Sequence, residues 1–470
     1  MKKFFLYFAI FILGSCAANY KSIIRDTEKL YYSGNYKEAI PKIRTLATEA
    51  DSKDQLLYLM EAGMIFHTQG DYESSNKAFK EAEGIADTIK TSVTKTGLSF
   101  LLSDNESNFK GEDFERVLIK FYIALNFIFL GDYDTAKIYF RRLDVELREM
   151  KFTEGKYKQN LCARYLDGIL SETLGRYNDA RVQYKNIYNI DPSFNSINGD
   201  RYVLAVKEND ARDMASLSEF KRLVDSLDRN MNPVPYEKTM GEVIIINQAG
   251  KAATKESRGK ILDDELFAGT LRAAIQTAVV SKGSGVTASG VIAGMSMAEN
   301  PIPIYEERDP ESAKPRSVLV NGKKIGSTII YNNYSETAIQ SFNENYTSII
   351  AKNATSIAIK MVTAAVAAEA ASRTLSAGKK KTEQQQLIDG IIRLAAGAAA
   401  GYAVSQTVAP DLRSWRLLPS NYQIKRLYLK PGDYTIELPG AKLPDGNSKA
   451  KVTVESGQPV FLNFRSFKPE

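Results

Sequence analysis

The chain has 470 residues, 44% hydrophobic and 25% charged, with a net charge of +6 that is spread along its length. That is enough apolar material for about two to four domains, and too mild a charge bias to indicate nucleic acid. A single histidine (His67) and two cysteines (Cys16 and Cys162) exclude histidine-based triads, multi-histidine metal sites and a disulfide framework.

Lys2 and Lys3 precede an apolar run, Phe4–Leu13. A membrane-spanning helix needs about 20 apolar residues, so this run is too short to cross, and it fits a secretory signal over residues 1–15. The sequence Leu13-Gly14-Ser15-Cys16 resembles a bacterial lipobox. Small residues admit a signal peptidase to the backbone, and the Cys16 thiol can take a diacylglyceryl group. More than one acyl chain gives stable anchoring. Ala17 and Ala18 follow in place of an aspartate. The expected location is therefore the cell envelope, lipid-anchored, at the outer membrane and facing the periplasm.

Residues 16–195 carry a repeat. Gly34-Asn35-Tyr36, Gly70-Asp71-Tyr72, Gly131-Asp132-Tyr133 and Gly175-Arg176-Tyr177 share one frame. Seven residues before each glycine stands Thr27, Gly63, Ala124 or Gly168; nine after it stands Ile43, Phe79, Phe140 or Tyr184. Small residues let two helices approach, glycine permits the turn, and large residues fill the gap between helices. The pattern is that of the tetratricopeptide repeat, with a period of about 34 residues. Pro41 falls inside the second helix of the first unit, where distortion is expected. Additional residues around Lys95–Gly111 read as a partner-facing loop or an extra helix. Cys162, on an apolar helical face in NLCARYL, reads as a buried small hydrophobe.

Residues 196–236 read as a helical linker ending at NPVPYEK. The stretch 237–408 reads as a mixed β and Ala-rich helical domain. It holds a buried strand at GEVIIIN from Gly241 and a hairpin turning at Asn321-Gly322. Gly283-Ser284-Gly285 lacks the strand–turn–helix context of a phosphate loop. Two Ala-rich helices occupy 354–408, with Gly397 and Gly401 spaced for close helix packing. Lys360, Glu369, Arg373, Asp389 and Arg393 interrupt their apolar faces, which favours tightly packed soluble helices over membrane spans. The tail, 409–470, alternates in QIKRLYL, DYTIEL, KVTV and VFLNF and reads as a small antiparallel sandwich with Trp415 beneath it. The expected fold class is α+β multidomain: a tetratricopeptide-like α-solenoid, a mixed central region and a small β module.

Several stretches together, DNESNFKGEDFERVLIKFYIALNFIFLGDYDTAKIYFRR, YLDGILSETLGRYNDARVQYKNIYNIDP, GEVIII and DLRSWRLLP with YLKPGDYTIEL, resemble a family of bacterial tetratricopeptide-repeat-containing envelope lipoproteins. The likeness covers roughly residues 95–470. It departs from the family pattern where Tyr139-Phe140, and not a glutamate, precede Arg141-Arg142. The resemblance implies no enzymatic activity and suggests, by association with lipoprotein activators of peptidoglycan synthesis, a part in envelope assembly.

The expected function is a non-catalytic, lipid-anchored scaffold that binds an envelope protein through its helical repeats, without cofactor or metal. Tyr36, Tyr72, Tyr133 and Tyr177, recurring at one offset, are expected to pack between helices. Phe66, His67, Phe127 and Ile128, on the inner first helices, are the candidate partner contacts. A fragment spanning Tyr20–Phe194 is expected to keep the main partner. The alternative is a component of a transport or secretion complex whose Ala-rich helices insert into membrane.

Overall fold

The computed structural model describes residues 20–49, 52–93, 108–149, 159–282, 287–295, 298–375 and 383–469. The signal segment, Cys16, most of the 95–111 insertion, Gly283-Ser284-Gly285 and the start of the loop from Gly378 lie outside them.

Four helical hairpins open the fold: α1 (Tyr20–Tyr32) with α2 (Tyr36–Glu49), α3 (Gln55–Gln69) with α4 (Tyr72–Val93), α5 (Asp113–Phe129) with α6 (Tyr133–Glu149), and α7 (Leu161–Thr173) with α8 (Tyr177–Ile190). Each turn is made by the repeat glycine, with φ of +79° at Gly34, +86° at Gly70, +78° at Gly131 and +69° at Gly175. Side chains avoid that left-handed region, so the glycines set the frame. The small–large pairing is literal: a Cβ on Gly63 would lie 2.6 Å from the Phe79 ring, and one on Gly168 would lie 2.4 Å from Tyr184. Pro41 sits within α2 and does not end it. The linker region forms α9 (Ile197–Glu208) and α10 (Ala211–Ser216).

Eleven strands follow among the described residues: β1 (Ser226–Leu227), β2 (Gly241–Ala249), β3 (Thr254–Glu256), β4 (Ile304–Glu306), β5 (Ser317–Val320), β6 (Lys323–Ser327), β7 (Ile329–Asn333), β8 (Asn421–Leu429), β9 (Gly432–Glu437), β10 (Lys449–Val454) and β11 (Pro459–Ser466). The β5–β6 hairpin turns where expected, with φ of +50° at Asn321 and +81° at Gly322, the type I′ signature.

The tail is not a separate sandwich, and the boundary expected at 409 divides nothing. Strand β8 pairs antiparallel with β2 over nine residues, and β11 lies parallel to β2 on its other side. A second sheet, in the order β10-β9-β5-β6, likewise mixes strands from both expected domains. The two sheets face each other through Val243, Ile245, Leu427, Leu429 and Phe464 on one side and Val318, Val320, Tyr434 and Ile436 on the other. The opposite face of the first sheet, with Ile244, Ile246, Tyr422 and Ile424, joins the core of the solenoid. This explains why β2 and β8 are buried at every position: period-2 alternation sends one set of side chains to helices and the other to strands. The result is three layers, solenoid, sheet and sheet.

The remaining helices form an arm: α11 (Glu265–Lys282), α12 (Ala288–Ala293), α13 (Tyr334–Leu375) and α14 (Glu383–Ser405). Strand β7 runs directly into α13, which starts 20 residues earlier than the Ala-rich stretch expected from 354. Gly401 and Gly397 meet α12, where a Cβ on Gly401 would lie 2.4 Å from the Val291 carbonyl oxygen. The spacing read in the sequence does bring two backbones together.

Candidate functional site

A repeat array offers its inner groove to ligands, and here that groove is filled by the chain itself. The segment Asp411–Leu418 has no regular secondary structure apart from a turn at Arg416-Leu417, and it threads between the first helices. Two inner carboxylates read its backbone. Glu115 accepts from the Trp415 amide at 2.8 Å; Glu61 accepts from the Arg416 and Leu417 amides at 2.7 and 3.1 Å. Glu115 also closes the capping box that starts α5. Arg413 donates to Asp54 at 2.7 Å, Arg416 to Glu28 at 2.6 Å, and Tyr32 to the Arg416 carbonyl at 2.8 Å. The Trp415 ring lies 5.8 Å from Phe79 and 5.7 Å from Tyr122, inside the groove, in one core with Tyr422 and Ile424 of β8.

The sheet completes the filling. His67 is fully buried; its Nδ1 donates to Asn126 Oδ1 at 2.6 Å and its Nε2 accepts from Gln248 at 2.7 Å. Burial lowers its pKa to about 4, so the ring is neutral. Tyr122 donates to Gln248 at 3.1 Å, and Arg465 donates to the Tyr31 hydroxyl at 3.2 Å.

At the far end of the groove lies a buried charge cluster. The Arg426 guanidinium holds both oxygens of Glu172 at 3.0 Å, Asp200 at 3.1 Å and Glu242. Lys207 bridges Glu172 and Glu242, 2.6 Å from each. Burial opposes the charge of Glu172, but Arg426 and Lys207 hold its carboxyl down to about 2. Three acids against two bases leave one negative charge uncompensated, and burial pushes Asp200 up to about 6 despite Arg426.

The predicted partner contacts are therefore occupied. His67 and Ile128 belong to the core. Phe66 is buried with Arg44 over its ring, and Phe127 stacks on Tyr139 beneath Lys80. The repeat tyrosines are half-buried and turn toward the C-terminal strands as much as toward helices. Tyr72 accepts from Asn463 at 3.2 Å, Tyr133 lies 5.7 Å from Phe461, Tyr36 lies 5.5 Å from Tyr31, and Tyr177 packs on the solenoid core. Cys162 is free and fully buried, its amide donating to Asn332. Sequence reasoning missed Glu61, Glu115, Asn126 and Glu172. Their signal was available: polar side chains on helix faces otherwise made of Leu, Ile, Met and Phe.

These groups give the fold a pH dependence. Burial pushes Glu61 and Glu115 up to about 7, against the amides they accept. With Asp200 near 6, all three bind a proton more tightly folded than unfolded. Their contribution is full below the usual carboxyl range and is lost as pH rises through 6–7. His67 works the other way, losing its contribution as pH falls from 6.5 through 4. Three carboxyls outweigh one imidazole, so the unfolding midpoint should be higher near pH 5.5 than near pH 8. A flat or inverted profile by calorimetry would contradict the assignment of these burial effects.

No known protein family matches the sequence, and no curated protein matches it. Three solved structures are similar to part of it. The "MamA RS-1 ArsTM double mutant" is 13% identical, covers 43% of this chain and 94% of its own, and has a TM-score of 0.29. The Rap conjugation gene regulator of plasmid pLS20, in complex with the Phr* peptide, is 12% identical over 43% of this chain and 51% of its own, with a TM-score of 0.27. A tetratricopeptide repeat protein from Parabacteroides merdae is 15% identical over 43% of this chain and 78% of its own, with a TM-score of 0.21. The repeat architecture described above stands on this chain's own turns and packing.

Proposed function

We propose that the chain is a non-catalytic protein of the bacterial cell envelope, lipid-anchored through Cys16, that presents a protein partner with the outer face of its helical repeats. The observation that supports this is a contrast between two faces. The inner groove is satisfied by the chain's own strands, while an open groove of about 410 Å³ lies outside, between α4 and α6. Ile138, Arg141, Arg142 and Val145 line it at helical spacing i, i+3, i+4 and i+7. Ile138 and Val145 are 54% and 53% exposed, unusual for large apolar side chains beside buried Lys120 and Glu146. An apolar helix face flanked by acidic residues matches that stripe, with the acids opposite the two arginines. The second reading, a transport or secretion component, draws on the apolar arm.

A photo-crosslinker at Ile138 in the full chain, in its own envelope, should capture one defined partner. The pair Ile138→Asp and Val145→Asp should lose that capture at least about tenfold with the circular dichroism spectrum unchanged. Undiminished capture by the double variant sinks the outer-face assignment. Mass spectrometry reads the anchor separately, since an unmodified Cys16 removes that half of the proposal.

A further inference from the structure

The α11–α14 arm carries its apolar residues in an order that a water-facing bundle does not use. On α14, among the described side chains, the exposed positions from Ile391 on are Ile391, Leu394, Ala395, Ala399, Tyr402 and Ala403, all on one helix face. Ile391 is 60%, Leu394 46% and Tyr402 56% exposed. From Leu394 to Ser405 the sequence has no charged residue. On α13, between Met361 and Ala370, the only charged side chain is Glu369, and it is turned inward at 4% exposed, while Thr363, Ala367 and Ala370 face out. Charge inside and alanine outside is the reverse of the pattern water selects. Among the described residues, α13 over Tyr334–Ala370 is also the one helix long and apolar enough to cross a membrane.

We infer that the apolar outer face of α14, through Ile391, Leu394, Tyr402 and Ala403, is a lipid-contacting surface that lies in the headgroup–acyl boundary of a bilayer. This rests on the anchored reading only for which bilayer is met. Lys21, one residue after the described chain begins, pairs with Glu256 on β3. That strand pairs with β4, whose Tyr305 lies 5.6 Å from Phe342 on α13. The described chain therefore begins beside the foot of the arm. The face lies on the bilayer and does not cross it. Lys360, Glu369 and Arg373 stand within α13, and each charge costs about 2.5–3.5 kcal/mol at a bilayer centre. Tyr402, at one end of the face, is the residue type that prefers the headgroup level.

The test places tryptophan on the face and reads its depth. Ile391→Trp and Leu394→Trp, with Val182→Trp on the exposed outer side of α8 as control, are mixed as full chains with vesicles whose acyl chains carry bromine. Buried Trp415 gives a constant background. Quenching should take about half or more of the added emission at 391 and 394 and leave 182 unchanged. Equal emission at all three positions overturns the inference. So does an unquenched arm that instead forms a dimer in ultracentrifugation, dispersed by Leu394→Glu, because the face would then belong to a second copy. The Cys16→Ala chain at high vesicle concentration separates the readings. Quenching that persists there supports the arm whatever the state of the anchor, and quenching absent in both forms rejects the arm even where Cys16 is acylated.

Discussion

Arg426→Leu should destabilise the fold by about 3–5 kcal/mol, the range for removing one partner of a buried ion cluster. Among the described residues the guanidinium is the one group that touches Glu172, Asp200 and Glu242 together, and all four side chains are buried. Leucine fills part of the volume but leaves three carboxyls with Lys207 alone. Tyr165, Tyr184 and Tyr428 still donate to Asp200 and Glu172, but two of the three carboxyls must then be buried charged without a compensating cation, or take up protons. The second course predicts a signature beyond the size of the loss. Glu172 is held near 2 by Arg426 and Lys207, so its carboxyl should rise without Arg426, and the variant should recover stability as pH falls toward 5. Chemical denaturation of the two proteins at pH 8 and pH 5 measures both effects. A difference below about 1 kcal/mol at pH 8, or one that grows on acidification, would show that the cluster does not tie the solenoid to the sheet.

The repeat half was legible because its code is local. A glycine with positive φ, a small residue seven back and a large one nine on all lie within one hairpin, and the structure places Phe79 against Gly63 and Tyr184 against Gly168 as the offsets require. The Asn321-Gly322 turn and the Gly397/Gly401 approach were local in the same way. The sheet was not. Its central strand, β2, takes partners from β8 and β11, more than 170 residues away in the chain. Alternation reports only that a strand has two faces, and it does not say what the polar side chains Gln248, Asn463 and Arg465 meet. Each meets a polar group of the solenoid, at His67, Tyr72 and Tyr31. His67 was singled out as an inner-groove residue, which is its place, and assigned to an external partner, where the chain's own Asn126 and Gln248 stand against it. Composition gives no sign that a groove is already full.

The central claim is that repeats and sheet are one cooperative unit, and the separated repeat fragment tests it most directly. A chain of residues Tyr20–Phe194 would bare the inner faces of α1, α3, α5 and α7, with Tyr31, Tyr32, Phe121, Tyr122 and Tyr165 losing their cover. It would leave Glu61, Glu115 and His67 without Arg416, Trp415, Leu417 or Gln248. Each orphaned polar group costs about 1–3 kcal/mol and each uncovered large apolar side chain a similar amount. Their sum exceeds the 5–15 kcal/mol by which a domain is stable. Calorimetry of the fragment beside the full chain is the measurement. The account predicts no cooperative transition for the fragment, and one transition in the full chain that melts solenoid and sheet together. A fragment that unfolds cooperatively at the midpoint of the full chain would contradict it, because the groove would then be a free-standing site and the strands a removable occupant.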